Sequence, residues 1–184
     1  MEALDALLNR VSVPRLTDPA PNAAQREALF QAALRAPDHG QLRPWRFLTI
    51  EGQAREKLGE LFASAVAKKG DASQAALDKA RAMPLRAPLL IVVIARLQDH
   101  FKVPKSEQRL AAGCAAHGIL IAAHAQGIGA VWRTGDMAFD AHVHQGLGLQ
   151  ANEELIGYLY VGTPVNEPRT APILATAEFV SAWE

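Results

Sequence analysis

The run Leu89-Leu-Ile-Val-Val-Ile94 constrains the fold of this chain more than any other feature. It is apolar without interruption and mostly β-branched, which favours an extended strand. A strand with one wet face alternates polar and apolar residues; this one has no polar face and needs cover on both sides. The enclosing stretch Pro88 to Ala95 is too short to cross a bilayer. The cover must therefore come from other parts of the chain, as layers on either side of a sheet.

Those layers are legible in the flanking sequence. Residues 2–9 place Ala3, Leu4, Leu7 and Leu8 at helical spacing, and the helix stops before Val11-Ser12-Val13-Pro14. Pro19-Ala20-Pro21 is a stiff connector, after which Asn22 and Gln25 form a capping box opening a helix to about Arg35. Trp45 to Ile50 alternates as a strand, and residues 53–69 and 72–82 are polar, alanine-rich helices. Ser106 caps a long helix to about Gln126, closed by Gly127. That helix is apolar nearly all round, so it is expected to lie inside the molecule. A strand at 129–133, a short helix at 138–146 and a strand at 156–161, running into Gly162-Thr-Pro164, complete the order. The order is not a regular βαβ alternation. No G-x-G-x-x-G follows the first strand, and Gly127 with Gly129 stands at a helix end, the wrong polarity for a dinucleotide turn. The fold class expected is α+β, a sandwich with helices on both faces of a small mixed sheet.

Composition removes several function classes. The 184 residues fit one domain. Lys+Arg and Asp+Glu both number 19, so no basic excess marks a nucleic-acid partner. Cys114 is the single cysteine, which excludes an intrachain disulfide and suits a reducing, cytoplasmic setting. The acidic, amphipathic start does not read as a signal peptide. The histidines lack the second Cys/His pair or carboxylates that a metal site requires, so no metal is expected.

Three groups of residues carry candidate chemistry. Asn9-Arg10-Val11-Ser12-Val13-Pro14-Arg15 sits where the first helix ends, and Arg10 with Ser12 suits a phosphate. Arg10 equally suits the C-terminal end of a helix dipole. Arg35-Ala-Pro-Asp-His-Gly-Gln-Leu-Arg-Pro-Trp45 packs Arg35, Asp38, His39 and Arg43 into a turn between two prolines, suited to a planar, hydrogen-bonding ligand. The plainer alternative is a salt bridge between Asp38 and Arg35. Val131-Trp132-Arg133-Thr134-Gly135 offers backbone N–H groups, an indole and a cation at a strand tip; the alternative is a core tryptophan beside an exposed arginine. There is no G-x-S-x-G, P-loop or H-E-x-x-H.

Taken in order, these segments resemble the FMN-dependent nitroreductases, and most closely the minimal NAD(P)H nitroreductases of the YdjA type. The likeness runs from Ala3 to about Pro164: Asn-Arg-x-Ser-x-x-Arg, then Arg-Ala-Pro-Asp-His-x-x-x-x-Pro-Trp-Arg-Phe, then Ala-x-Gly-x-Gly-x-x-Trp-Arg-x-Gly, then Gly-Thr-Pro.

The resemblance implies a nitroreductase-like fold, with 1–184 as a single domain in an intertwined homodimer and a tail, 165–184, packing on the partner subunit. It implies FMN as cofactor and NAD(P)H as electron donor, with a nitroaromatic, quinone or similar small molecule reduced by two electrons. A flavin carrier or sensor without turnover is the alternative. By the same resemblance Arg10, Val11 and Ser12 hold the phosphate end. Arg35 and His39 contact the flavin, and Val131, Trp132 and Arg133 come from the partner subunit. Arg169 is the candidate for a further phosphate contact, and Ile121 to Gln126 lie in the region associated with the nicotinamide. Arg10 and Arg35 are the expected sources of positive charge beside the reduced ring. Two residues depart from the pattern. Val11 stands where a second Arg or a His is common, and Arg43 where Gln is usual.

Overall fold

The structure, a computed structural model, describes residues 1–183. In chain order it has α1 (Ala3–Asn9), β1 (Leu16–Thr17), α2 (Ala23–Ala33), β2 (Trp45–Glu51), α3 (Gln53–Lys68), α4 (Gln74–Ala82), β3 (Leu89–Arg96), α5 (Lys105–Ala125), β4 (Gly129–Arg133), α6 (Ala141–Gly146) and β5 (Glu153–Pro164). The strand run that opened the argument is β3, and every residue from Leu89 to Ala95 is fully buried. It is central because β2 pairs on one side and β5 on the other. All recorded pairs are antiparallel, where a mixed sheet was expected. The helices α3 and α4 between β2 and β3 return the chain in the opposite direction instead of making a parallel crossover.

The pleat of β3 divides the core in two. Leu89, Ile91, Val93 and Ala95 face α2 and α5, together with Leu159 and Val161 of β5. Leu90, Val92 and Ile94 face α3 and α4, together with Tyr158 and Tyr160. The sheet is thus covered on both faces, as an α+β sandwich requires. The capping box of α2 forms reciprocally, Gln25 N donating to Asn22 Oδ1 and Asn22 N to Gln25 Oε1, both at 2.9 Å. Gly127, at φ 71°, ends α5, and the Ile128 amide reaches back to the Ala123 carbonyl at 2.9 Å.

Four details depart from the sequence reading. Helix α5 starts two residues earlier than a Ser106 cap would place it, with Pro104 at its N-cap and no side-chain cap hydrogen bond. Its burial is one-sided in a single chain: Ala112, Ala116, Ile119 and Ala123 are buried, while Leu110, Cys114 and His117 are exposed along the opposite face. The 138–146 helix is broken: a 3-10 turn at Asp136–Ala138 precedes α6, whose N-terminus Asp140 caps by accepting from the His142 and Val143 amides. Strand β5 is longer than 156–161, because a bulge opposite Val93 and Ile94 lets pairing with β3 continue past an irregularity.

Candidate functional site

The N-terminal segment, β4 and the start of the tail come together on one side of the sheet. Helix α1 ends at Arg10, whose backbone is already extended (φ −60°, ψ 129°). Val13 N then donates to Ala130 O at 2.9 Å, which lays residues 11–13 against the outer edge of β4. Val11 is buried, so its side chain anchors the segment and only its backbone is free to serve a ligand. Val165 N donates to Arg15 O at 3.1 Å and brings the tail across the same segment. Ser12 to Arg15 and Asn166 to Arg169 consequently line a cavity of about 470 Å³. A second cavity of about 220 Å³ is lined by Arg10, Val11, Leu120, His124 and Pro168, among others. In it, His124 Nε2 is buried and has no hydrogen-bond partner among the described residues.

Alternation along β4 sorts its residues. Ala130 turns its carbonyl away from β5 to meet Val13, so Trp132, two residues on, turns its own N–H and C=O to the same open edge. The Trp132 side chain packs towards α5, and its Nε1 donates to Ile156 O at 3.3 Å, at the β5 bulge. The tryptophan is therefore half-buried against the core and presents its backbone. Val131 and Arg133 point to the other face, towards α3 and α4.

There the sheet, α3, α4 and the turn Met83–Arg86 enclose a pocket of about 650 Å³. Phe62, Met83, Tyr158 and Tyr160 supply apolar and aromatic wall, and Lys79, Arg86 and Arg133 supply charge. The Arg133 guanidinium lies 5.5 Å from the centre of the Tyr160 ring, and its Nε is buried without a partner. Burial pushes the Tyr160 hydroxyl pKa up, and the nearby Arg86 and Arg133 pull it partly back. Tyr158 is raised further by burial, and its hydroxyl donates to Met137 O at 3.0 Å.

The opening loop is built differently from the salt bridge considered for it. The Asp38 carboxylate accepts from the Arg43 and Leu42 amides at 2.7 and 3.2 Å. Arg35 is left to line a separate cavity of about 350 Å³ with Arg43 and Trp45. His39 Nδ1 donates to Glu107 Oε2 at 2.7 Å, in the first turn of α5. Glu107 and His124 are about 25 Å apart along that helix at 1.5 Å per residue. Within one chain His39 is thus held away from Arg10, and Arg35 lines a different cavity from it. The sequence reading took Val131 to Arg133 from a partner subunit; the fold sets them beside Val13 of the same chain, and the opening loop is the part that stands apart.

Three site residues were not marked in the sequence, Lys79, Arg86 and Tyr160, whereas His124 falls within the Ile121 to Gln126 segment named from the resemblance. The spacing of Tyr158 and Tyr160 in a strand already put both on one face, and that signal was available. Nothing local marked Arg86, which joins the pocket because the turn before β3 packs against α3 and α4.

Comparison with known proteins gives the family and the fold. The model of the Nitroreductase family matches residues 7–163. The Escherichia coli (strain K12) protein named "Putative NAD(P)H nitroreductase YdjA" is 39% identical over 181 residues, covering 95% of this chain and 98% of that protein. Among solved structures, a nitroreductase-like family protein from Bacillus cereus superposes with a TM-score of 0.82 at 23% identity, covering 100% of this chain and 97% of that one. A nitroreductase with bound FMN from Bacteroides fragilis NCTC 9343 gives 0.76 at 20% identity, covering 100% of both chains. A chain matched over most of its length by the family model, with a relative this similar end to end, belongs to the nitroreductase family.

Proposed function

We propose that this chain is an FMN-dependent NAD(P)H oxidoreductase, and that the cofactor lies along the open edge of β4. The observation that carries the reading is the pair of environments at the two ends of that edge. One end offers Arg10, the Ser12 hydroxyl and Arg169 to a phosphate. The other is a large, flat-walled pocket with aromatic and cationic lining. The outward backbone of Trp132 lies between them, ready to pair with a heterocycle. The unpartnered His124 Nε2 and Arg133 Nε fit a group that brings its own hydrogen-bond acceptors.

When bound, FMN supplies the two-electron chemistry: NAD(P)H hands over two electrons and a proton and leaves as NAD(P)⁺, and a nitroaromatic, quinone or similar acceptor takes them in a second half-reaction. The chain's part is to bind, orient and screen. Arg10 and Ser12 fix the phosphate, Trp132 fixes the register of the ring through its backbone, and Phe62, Met83 and Tyr160 exclude water from the pocket.

The working unit in this reading is a homodimer. Leu4 and Leu8 on α1, Leu110 on α5, and Ile173 and Trp183 on the tail are exposed in the single chain. Such a surface needs a partner. A second copy also delivers Arg35 and His39 to the site from which they are remote in this chain. The test is to load purified protein with FMN and add NAD(P)H without oxygen. Bleaching of the flavin spectrum, and its recovery on adding a quinone, are expected. FMN uptake without bleaching would make the chain a carrier or sensor instead.

A further inference from the structure

Lys79, Arg86 and Arg133 all line the 650 Å³ pocket, and none of them is in an ion pair among the described residues. The one acid in the lining, Asp136, is 85% exposed and sits 3.8 Å from Lys69. Several cations elsewhere in the chain are instead paired. Arg26, Arg46, Arg81 and Arg109 each meet a carboxylate at 2.9 Å or less. The three pocket cations come from α4, from the turn before β3 and from β4, so they are not a run of like charge along one helix. Three cations that share one pocket and pair with no acid, beside apolar walls, leave a place for a flat anion. The contact of Arg133 with the Tyr160 ring does not satisfy its buried Nε–H.

We propose that Arg86 and Arg133 are the charge partners of the cofactor ring and hold its reduced, anionic form more tightly than its oxidised, neutral one. This rests on the FMN reading above. A ring that gains two electrons and one proton carries one net negative charge, so fixed cations in a partly desolvated pocket discriminate between the two forms. The sequence reading gave this role to Arg10 and Arg35. The fold places Arg10 at the phosphate end of β4 and Arg35 in a separate cavity, whereas Arg86 and Arg133 lie near enough to the same tyrosine to affect its hydroxyl.

The experiment compares FMN-loaded wild type with Arg86→Met, Arg86→Lys and Arg81→Met. Affinity for oxidised FMN is read by fluorescence quenching, and the two-electron midpoint potential by anaerobic dye titration. Arg86 is exposed, so its replacement leaves the core intact. Arg86→Met should bind oxidised FMN within about twofold of wild type and lose roughly tenfold on the reduced form, a fall in potential of about 30 mV for two electrons. Arg86→Lys should recover most of that shift. Arg81 pairs with Glu60 and Asp78 outside the pocket, and Arg81→Met should match wild type. A wild-type potential in Arg86→Met, or equal shifts in Arg86→Met and Arg81→Met, would overturn the assignment while leaving FMN binding standing. Failure of the wild type to take up FMN would overturn both.

Discussion

Arg10 and Glu153 show how differently two charged residues can serve one chain. Arg10 ends a helix, lines a cavity and has no acidic partner among the described residues, so its charge is available to a ligand. A charge-assisted hydrogen bond to a phosphomonoester contributes about 1.5–3 kcal/mol, or roughly tenfold to a hundredfold in affinity. Arg10→Ala should weaken FMN binding by that factor and leave riboflavin, which lacks the phosphate, almost unchanged. Equal losses for both ligands would return Arg10 to a helix-dipole role. Glu153 is turned inward. Its carboxylate accepts from Arg46 at 2.6 and 2.7 Å and from the Gln150 amide at 3.0 Å. The Arg46 hydrogen bond holds its pKa below the usual carboxylate range, against the opposing effect of burial. A depressed folded-state pKa contributes stability above the unfolded value, about 4.3, and loses it as pH falls through the folded one. Glu153→Gln should therefore cost about 1.5–3 kcal/mol at pH 7, and the gap to wild type should narrow towards pH 3. Denaturant midpoints at the two pH values check this.

Strand β4 carries the candidate site because of how β5 receives it. The β5 bulge leaves the Ile156 carbonyl where Trp132 Nε1 can bond it, and the indole crosses Gly157 so closely that a Cβ there would collide with it. That contact fixes the tryptophan and, through it, the outward turn of the β4 backbone. Gly157→Ala should destabilise the fold by about 1–3 kcal/mol through overpacking. It should also weaken FMN and riboflavin alike, because it disturbs the ring end of the site and not the phosphate end. A variant that stays as stable as wild type and binds both ligands normally would show that the indole position does not govern the site. The opposite behaviour of Arg10→Ala and Gly157→Ala towards riboflavin separates the two ends of the strand.

At the scale of the whole molecule the exposed leucines of α1 and α5 matter most. Leu110 is 69% exposed in the single chain, so replacing it does not touch the monomer's core. In a dimer that buries this face, Leu110→Glu would put a charge into an apolar interface at a cost of several kcal/mol. Sedimentation at micromolar concentration should show wild type as a dimer and Leu110→Glu shifted to a folded monomer. FMN should be lost in step, because His39 and Arg35 would no longer be delivered by the partner. A variant that remains dimeric and yellow would place the interface elsewhere. In such a dimer the apolar composition of α5 would have a second source, because an apolar surface facing a second copy has the same composition as one facing the core.

The sequence by itself determined the elements and the fold class. The unbroken run Leu89 to Ile94 required cover on both faces, Asn22 with Gln25 started a helix, and Gly127 stopped one, because these effects act within a few residues. It also determined Arg10 and Ser12 as a candidate phosphate grip, since a helix end next to a short loop is local. It could not determine which candidates meet. The hydrogen bond from Val13 to Ala130 joins segments far apart in the chain, and it lays the Arg10–Ser12 segment beside β4. Helix α5, by its length, keeps His39 away from that site. Strand alternation then decided that Trp132 offers its backbone and Arg133 its charge, and only the packing of the Met83–Arg86 turn against α3 and α4 brought Arg86 to the pocket. Sequence sets local conformational preference; long-range pairing and burial set which side chains converge, and the site is made by that convergence.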